Sequence, residues 1–367
     1  MGARRRVMRG PSVGKTVALP RPAPRPPTPA EKPTYPLPMP RSSVDESVER
    51  VVVEGFAFPL GVYPVEPMTP RPGFRSDFEP ADGGEDDGQW EAWPDRYVYE
   101  IVISADRLEP LVRSLLALMP GRIYPILDVL GRDAFREVDP YISYDLMGID
   151  RLMDALRRYR AFFFEDGLCG FGVMADEPFL YIFVDEHKII TIRVEPHLKD
   201  KIEKVLAAFD LEPVEEPAGA DAAAHEHRSV LSISDDRPDL LDEDEITEVL
   251  REEWKLVLNV DPDTNVDDEG NDLGITGWRC ILRCAEDAAA PARYADIVMT
   301  ARNLRRAEEL AQDAIDDLRQ GQELDEIVPV ACDRVDRETF AQWLLSTTPE
   351  VKPGPDEERI IWSRWIE

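Results

Sequence analysis

Cysteine and histidine are both scarce in this chain of 367 residues, which contains four of each. Four cysteines are too few to build a disulfide framework in a chain of this length. We therefore expect all four to be reduced thiols. They are Cys169, Cys280, Cys284 and Cys332.

Long apolar runs are also missing. No stretch approaches the roughly 18 residues that a membrane span needs. The Arg-rich beginning is not followed by the apolar stretch of a secretory signal, because residues 17–19 run directly into Pro20. These features predict a cytoplasmic protein with no membrane partner.

Positive charge is in deficit, with 43 basic side chains against 74 acidic ones and a net charge of −31. Charge of this sign repels nucleic acid and anionic membranes, and a protein that binds duplexes is normally basic. Seven basic residues nevertheless fall within residues 4–25, before the first acid at Glu31. Association with nucleic acid is therefore expected only through this basic arm.

Proline is concentrated at the N-terminus, where 18 of the 33 prolines precede residue 95. Pro-rich sequence with little apolar surface stays extended, so we predict that residues 1–94 form a disordered basic arm. Residues 51–63 are an exception, since valine and phenylalanine are abundant there. This segment is predicted to dock on the protein's own body or on a partner protein.

The remaining sequence predicts an α+β fold in two small domains. Alternating and β-branched runs mark strands, and apolar residues at helical spacing mark helices between them. We place the first domain at 95–211, an acidic linker at 212–240 and the second domain at 241–367. The expected sheets are antiparallel or mixed with helices on one face, and a ferredoxin-like layout is the simplest guess.

Two motifs resemble ligand-binding loops but depart from their patterns. Residues 10–16 (GPSVGKT) have three residues between the glycines, whereas a phosphate-binding loop has four. Asp261–Glu269 resembles the start of a calcium loop, but Val266 replaces the turn glycine and Asp272 the final glutamate. We expect a tail segment and a solvated acidic loop, although weak cation binding by the second remains open.

The cysteines and glycines also favour structural roles. Cys280 and Cys284 share one face of a predicted strand, where four residues span roughly 13 Å, too far for one metal ion. The glycines of residues 167–172 are expected in a hairpin, with close approach to a ligand as the alternative. Cys169 has no histidine nearby in sequence to activate it as a nucleophile.

The four histidines are expected at the surface. His187 lies in a charged turn and His197 at a helix start, while His225 and His227 flank Glu226 in the acidic linker. The last pair can bind a metal ion only with a third ligand. The sequence alone therefore assigns no catalytic, cofactor-binding or metal-ligating residue and no cofactor.

These observations favour a non-catalytic interaction or regulatory protein, whose partners are other proteins reached through the arm and residues 51–63. One alternative is a metal-dependent hydrolase with a carboxylate site that the sequence does not reveal. A second alternative is non-specific nucleic-acid association through the basic arm.

Overall fold

The computed structural model describes residues 39–81, 93–233, 236–286, 291–319, 321, 323–347 and 357–366. The predicted disordered residues 1–38 and the motif at 10–16 lie outside these ranges. Within them the fold is mixed α+β, with antiparallel sheets. No helix in the described ranges is long and apolar enough to cross a membrane.

The strands are β1 (Val52–Val53), β2 (Phe56–Ala57), β3 (Val62–Pro64), β4 (Gly73–Glu79), β5 (Arg96–Val102), β6 (Arg122–Leu130), β7 (Val138–Ile142), β8 (Met147–Gly148), β9 (Cys169–Asp176), β10 (Phe179–Val184), β11 (Ile190–Val194), β12 (His225–His227), β13 (Val257–Leu258), β14 (Thr276–Ala285), β15 (Arg293–Ala301), β16 (Glu326–Val335) and β17 (Arg359–Ile366). The α-helices are α1 (Ala105–Leu116), α2 (Ile149–Arg158), α3 (Arg160–Phe164), α4 (Lys199–Ala208), α5 (Glu243–Trp254), α6 (Leu304–Leu318) and α7 (Arg337–Thr347).

The larger sheet has nine strands in the order β13-β7-β6-β9-β10-β11-β5-β4, with β8 paired to β6. Side chains alternate between its faces, so Leu180, Ile182 and Val184 of β10 point into the core. Helices α1 to α5 bury their apolar residues against this same face. For this sheet, helices on one face are confirmed.

The smaller sheet has the order β16-β14-β15-β17. Helix α6 packs on one face, over Ile297 and Met299. Helix α7 packs on the other, where Phe340 and Leu344 contact Val298. The expectation of helices on one face is wrong here, because β15 is buried on both sides from Ala295 to Ala301.

The predicted linker and part of the predicted arm are integrated into the fold. Strand β4 is the edge of the larger sheet, β3 pairs with β12, and Val230 is buried. Phe58 and Val62 are fully buried, so the segment 51–63 docks on the protein's own body. The prediction of disorder is therefore wrong for residues 39–81, and residues 212–233 do not form a free linker.

The beginning of the predicted second domain packs with the first. Helix α5 adds Ile246, Leu250 and Trp254 to the core of the larger sheet, and β13 pairs with β7. Contacts group residues 38–367 into one unit. Neither the two-domain division nor the ferredoxin-like layout is confirmed by these strand orders.

Two local predictions need correction. The aromatic run at residues 161–164 predicts a strand, but α3 begins at Arg160, and the three phenylalanines that follow Ala161 are buried in the core. Cys280 and Cys332 lie opposite each other on β14 and β16 and form a disulfide, so the prediction that all cysteines are reduced is wrong. Cys169 and Cys284 are free and buried.

Candidate metal centre

Three of the four histidines meet at one place. His187 lies in the turn between β10 and β11, and His225 and His227 are the first and last residues of β12. Residues two apart on a strand share a face, so both β12 imidazoles point to the same side. The ligand atoms of the three histidines all lie within 4.8 Å of one another.

The three rings are arranged almost symmetrically around a common point. His187 lies 4.8 Å from both other rings by ring centroid, and His225 and His227 are 5.0 Å apart. The interplanar angles of 77°, 76° and 71° are nearly equal. Nε2 of His187 is 3.0 Å from Nε2 of His225. Each ring thus meets the others edge to face.

Oxygen acceptors lie beside Nδ1 of all three rings. His225 donates to the carbonyl of Ala223, and His227 donates to the carbonyl of Gly167, both at 2.8 Å. A carbonyl only accepts, so Nδ1 carries the proton in both rings and Nε2 keeps its lone pair in the neutral form. Nδ1 of His187 lies 3.3 Å from a Glu186 carboxylate oxygen. Oxygen partners of this kind orient histidines that bind metal ions.

Burial and charge act differently on two of the rings. Burial lowers the pKa of His187, but the hydrogen bond to Asp185 and nearby carboxylates outweigh it and raise this pKa above its usual value. Burial lowers the pKa of His227, and the neighbouring imidazoles act in the same direction. His227 is therefore biased towards the neutral form that a metal ion requires.

Two glycines, one just before β3 and one just before β9, let these segments approach each other closely beside the histidines. A methyl group on Gly61 would lie 2.1 Å from the backbone nitrogen of Gly167. Arg228 joins the two segments. Its amide donates to Gly61 O at 2.9 Å, and its carbonyl accepts from Gly167 N at 3.2 Å. This contact places the carbonyl of Gly167 where it can accept the hydrogen bond from Nδ1 of His227.

The turn that carries His187 is held on both sides. A carboxylate oxygen of Asp185 accepts from the amide of Ile189 at 2.8 Å. Lys188 adopts a positive φ of 66° and is buried, and its ammonium group donates to the carbonyl of Cys169 at 2.6 Å. His187 is thus presented from a fixed hairpin.

The other sequence candidates do not join this centre. Cys169 is fully buried, and burial raises the pKa of its thiol to about 12, which disfavours the nucleophilic thiolate. Gly170 and Gly172 lie within β9, which forms the predicted antiparallel hairpin with β10. His197 is exposed beside Glu195, 3.0 Å away.

The acidic loop 261–269 is built from internal contacts. Asp263 pairs with Arg305 at 2.5 Å. The carboxylate of Asp267 accepts from the amides of Glu269 and Asn271 at 3.0 and 2.8 Å. These two carboxylates already have partners within the protein.

The residue that sequence reasoning missed is His187. His-x-His in an extended segment was a visible signal for two ligands on one face. Nothing local connects it with a turn 38 residues earlier, since only the folding of β12 against the hairpin brings the third ring into place. In the comparisons with known proteins, no family model, no curated protein and no solved structure matches this chain.

Proposed function

We propose that the protein binds a divalent transition-metal ion through His187, His225 and His227. The observation that carries this proposal is the convergence of three imidazoles whose Nδ1 atoms all face oxygen acceptors. Imidazole nitrogen suits zinc, copper and nickel, whereas calcium and magnesium prefer oxygen ligands. The donor set therefore favours the first group of metals.

Zinc fits the spacing of the ligand atoms. Zinc–nitrogen bonds of about 2.0–2.1 Å in a tetrahedral site separate neighbouring nitrogens by about 3.3 Å. The 3.0 Å between Nε2 of His187 and Nε2 of His225 is within a few tenths of an ångström of that distance. The ligand atoms of all three rings lie within 4.8 Å of one another, so an ion bound by all three would draw the rings closer together.

Calorimetric titration of metal-free full-length protein with zinc tests this function. We expect one zinc ion per chain and no comparable calcium or magnesium binding. His187→Ala should weaken zinc binding by more than about 100-fold, since losing an outer-shell partner alone typically costs 10- to 100-fold. His197→Ala is the matched control and should bind like the parent protein. Equal affinity in the two variants would refute the assignment.

A second candidate function is metal-assisted hydrolysis, which the composition of the centre favours. In the described part of the chain, no fourth histidine, cysteine or carboxylate joins the three histidines. Catalytic zinc sites keep such a position for water, whose pKa falls to about 7. Because the net charge of −31 repels anions, neutral esters are the substrate class to test. Zinc-dependent ester turnover that His187→Ala abolishes would support it, and its absence from the loaded protein would refute it.

A role in protein interaction or regulation in the cytoplasm stays a separate proposal, and it now rests on the basic arm. The opposite charges of the arm and the remaining chain support it. We also keep the two-domain division as a proposal, because the smaller sheet and α6 have a core of their own.

A further inference from the structure

The three histidines belong to two pieces of structure that are joined mainly by non-covalent contacts. His187 lies on the larger sheet. In the described residues, β12 pairs only with β3, and this two-stranded ribbon lies outside both main sheets. We call residues 51–66 together with 220–228 the strap. A metal ion held by all three rings would therefore bind the strap to the sheet.

Apolar packing holds the strap from one side. Phe56, Phe58 and Val62 pack against Val102 and Ile189 of the larger sheet. The backbone adds a hydrogen bond of 2.7 Å from Gly61 N to Glu165 O. These contacts keep the strap in place, but they involve few residues compared with the main core.

Negative charge lies on both sides of the histidines. Asp185 and Glu186 lie on the sheet side and Asp221 on the strap side, and all three carboxylates act on His187. A divalent cation held by the three rings would be attracted by these carboxylates and would add its ligand bonds between the strap and the sheet.

We infer that metal occupancy controls whether the strap is seated, so that the centre is a metal-responsive clasp. This inference rests on the proposed metal binding. With the ion bound, strap and sheet form one unit. When the ion leaves, the strap opens more often and uncovers the apolar cluster that contains Phe58 and Val62, both fully buried when the strap is seated.

Hydrogen exchange of the full-length protein, with and without zinc, tests the clasp. The informative amides are those of Phe58, Gly61, Val65 and Arg228, whose hydrogen bonds join the strap to itself or to the sheet. At free zinc 100 times its dissociation constant, exchange through strap opening should slow by about 100-fold if the open form does not bind zinc. Amides of β15 in the smaller sheet should not change.

Variants separate the clasp from the site itself. His225→Ala, on the strap, and His187→Ala, on the sheet, should both remove the zinc effect, and His197→Ala should keep it. Calorimetry on the same samples reports zinc binding independently. Zinc binding without slower strap exchange would overturn the clasp and leave the metal centre intact. No zinc binding by the parent protein would overturn both.

Discussion

At the scale of the residue, the sequence predicts which side chains are buried better than it predicts which distant side chains contact each other. The alternation of Trp278, Cys280, Leu282 and Cys284 places these residues on one face, and all four are buried. The metal centre depends instead on contacts between positions 38 or more residues apart. Rules of sequence spacing describe only positions within one helix or strand. His187 therefore could not be identified as a ligand from the sequence.

Gly61 shows how strictly a single residue limits the centre. Gly61→Ala should destabilise the protein by about 1–3 kcal/mol, as overpacking does, because the new methyl group would clash with the backbone of Gly167. It should also weaken zinc binding, since His227 hydrogen-bonds to Gly167. Chemical denaturation and zinc titration measure the two effects.

Gly121→Ala is the matched control for this substitution. A methyl group there would meet nothing within 4 Å. Its free energy of unfolding and its zinc affinity should match those of the parent protein. If Gly61→Ala behaves in the same way, the close approach of strap and sheet is not required.

At the scale of the element, regular periodicity is a dependable guide. The apolar stripe of α6 predicts a helix from Leu304 to Leu318, and the structure has these bounds. The predicted strand Phe179–Val184 is likewise confirmed. The strand prediction for residues 161–164 is wrong because a short apolar and aromatic run fits a strand and a buried helix equally well.

The disulfide between β14 and β16 gives a prediction for these elements. The bond closes a loop with a sequence separation of 52, and such cross-links typically stabilise by about 2–4 kcal/mol. Denaturation with and without reductant should differ by this amount. Alkylation of the unfolded, unreduced protein should label two cysteines. Labelling of four would contradict the pairing.

At the scale of the whole molecule, local sequence signals do not reveal which distant segments pack together. The acidic composition of 212–240 is typical of a linker, yet β12 and Val230 lie within it. Helix α5 looks like the start of a second domain but completes the first core. Such pairings between distant segments are stabilised by tertiary contacts, which composition does not reveal.

The contact between the smaller sheet and the loop at 133–136 depends on one buried ion pair. Arg334 donates to Asp133 at 2.9 Å, and both side chains are almost inaccessible. Arg334→Met should destabilise the protein by about 3–5 kcal/mol, because it removes the close ionic partner of a buried carboxylate, whose other ion pair, with Arg136, is as long as 3.9 Å. Arg305→Met removes the exposed pair with Asp263 and should have little effect in the same denaturation experiment. Equal effects of the two variants would contradict this account of the contact.

The most direct test of the central claim is X-ray absorption spectroscopy of the zinc-loaded, full-length protein. The account predicts a first shell of three imidazole nitrogens at about 2.0–2.1 Å with one further light atom. His225→Ala should lose this signature, and His197→Ala should retain it. A shell that contains sulfur, a shell of oxygen atoms without imidazole, or the same spectrum in both variants would contradict a centre built from His187, His225 and His227.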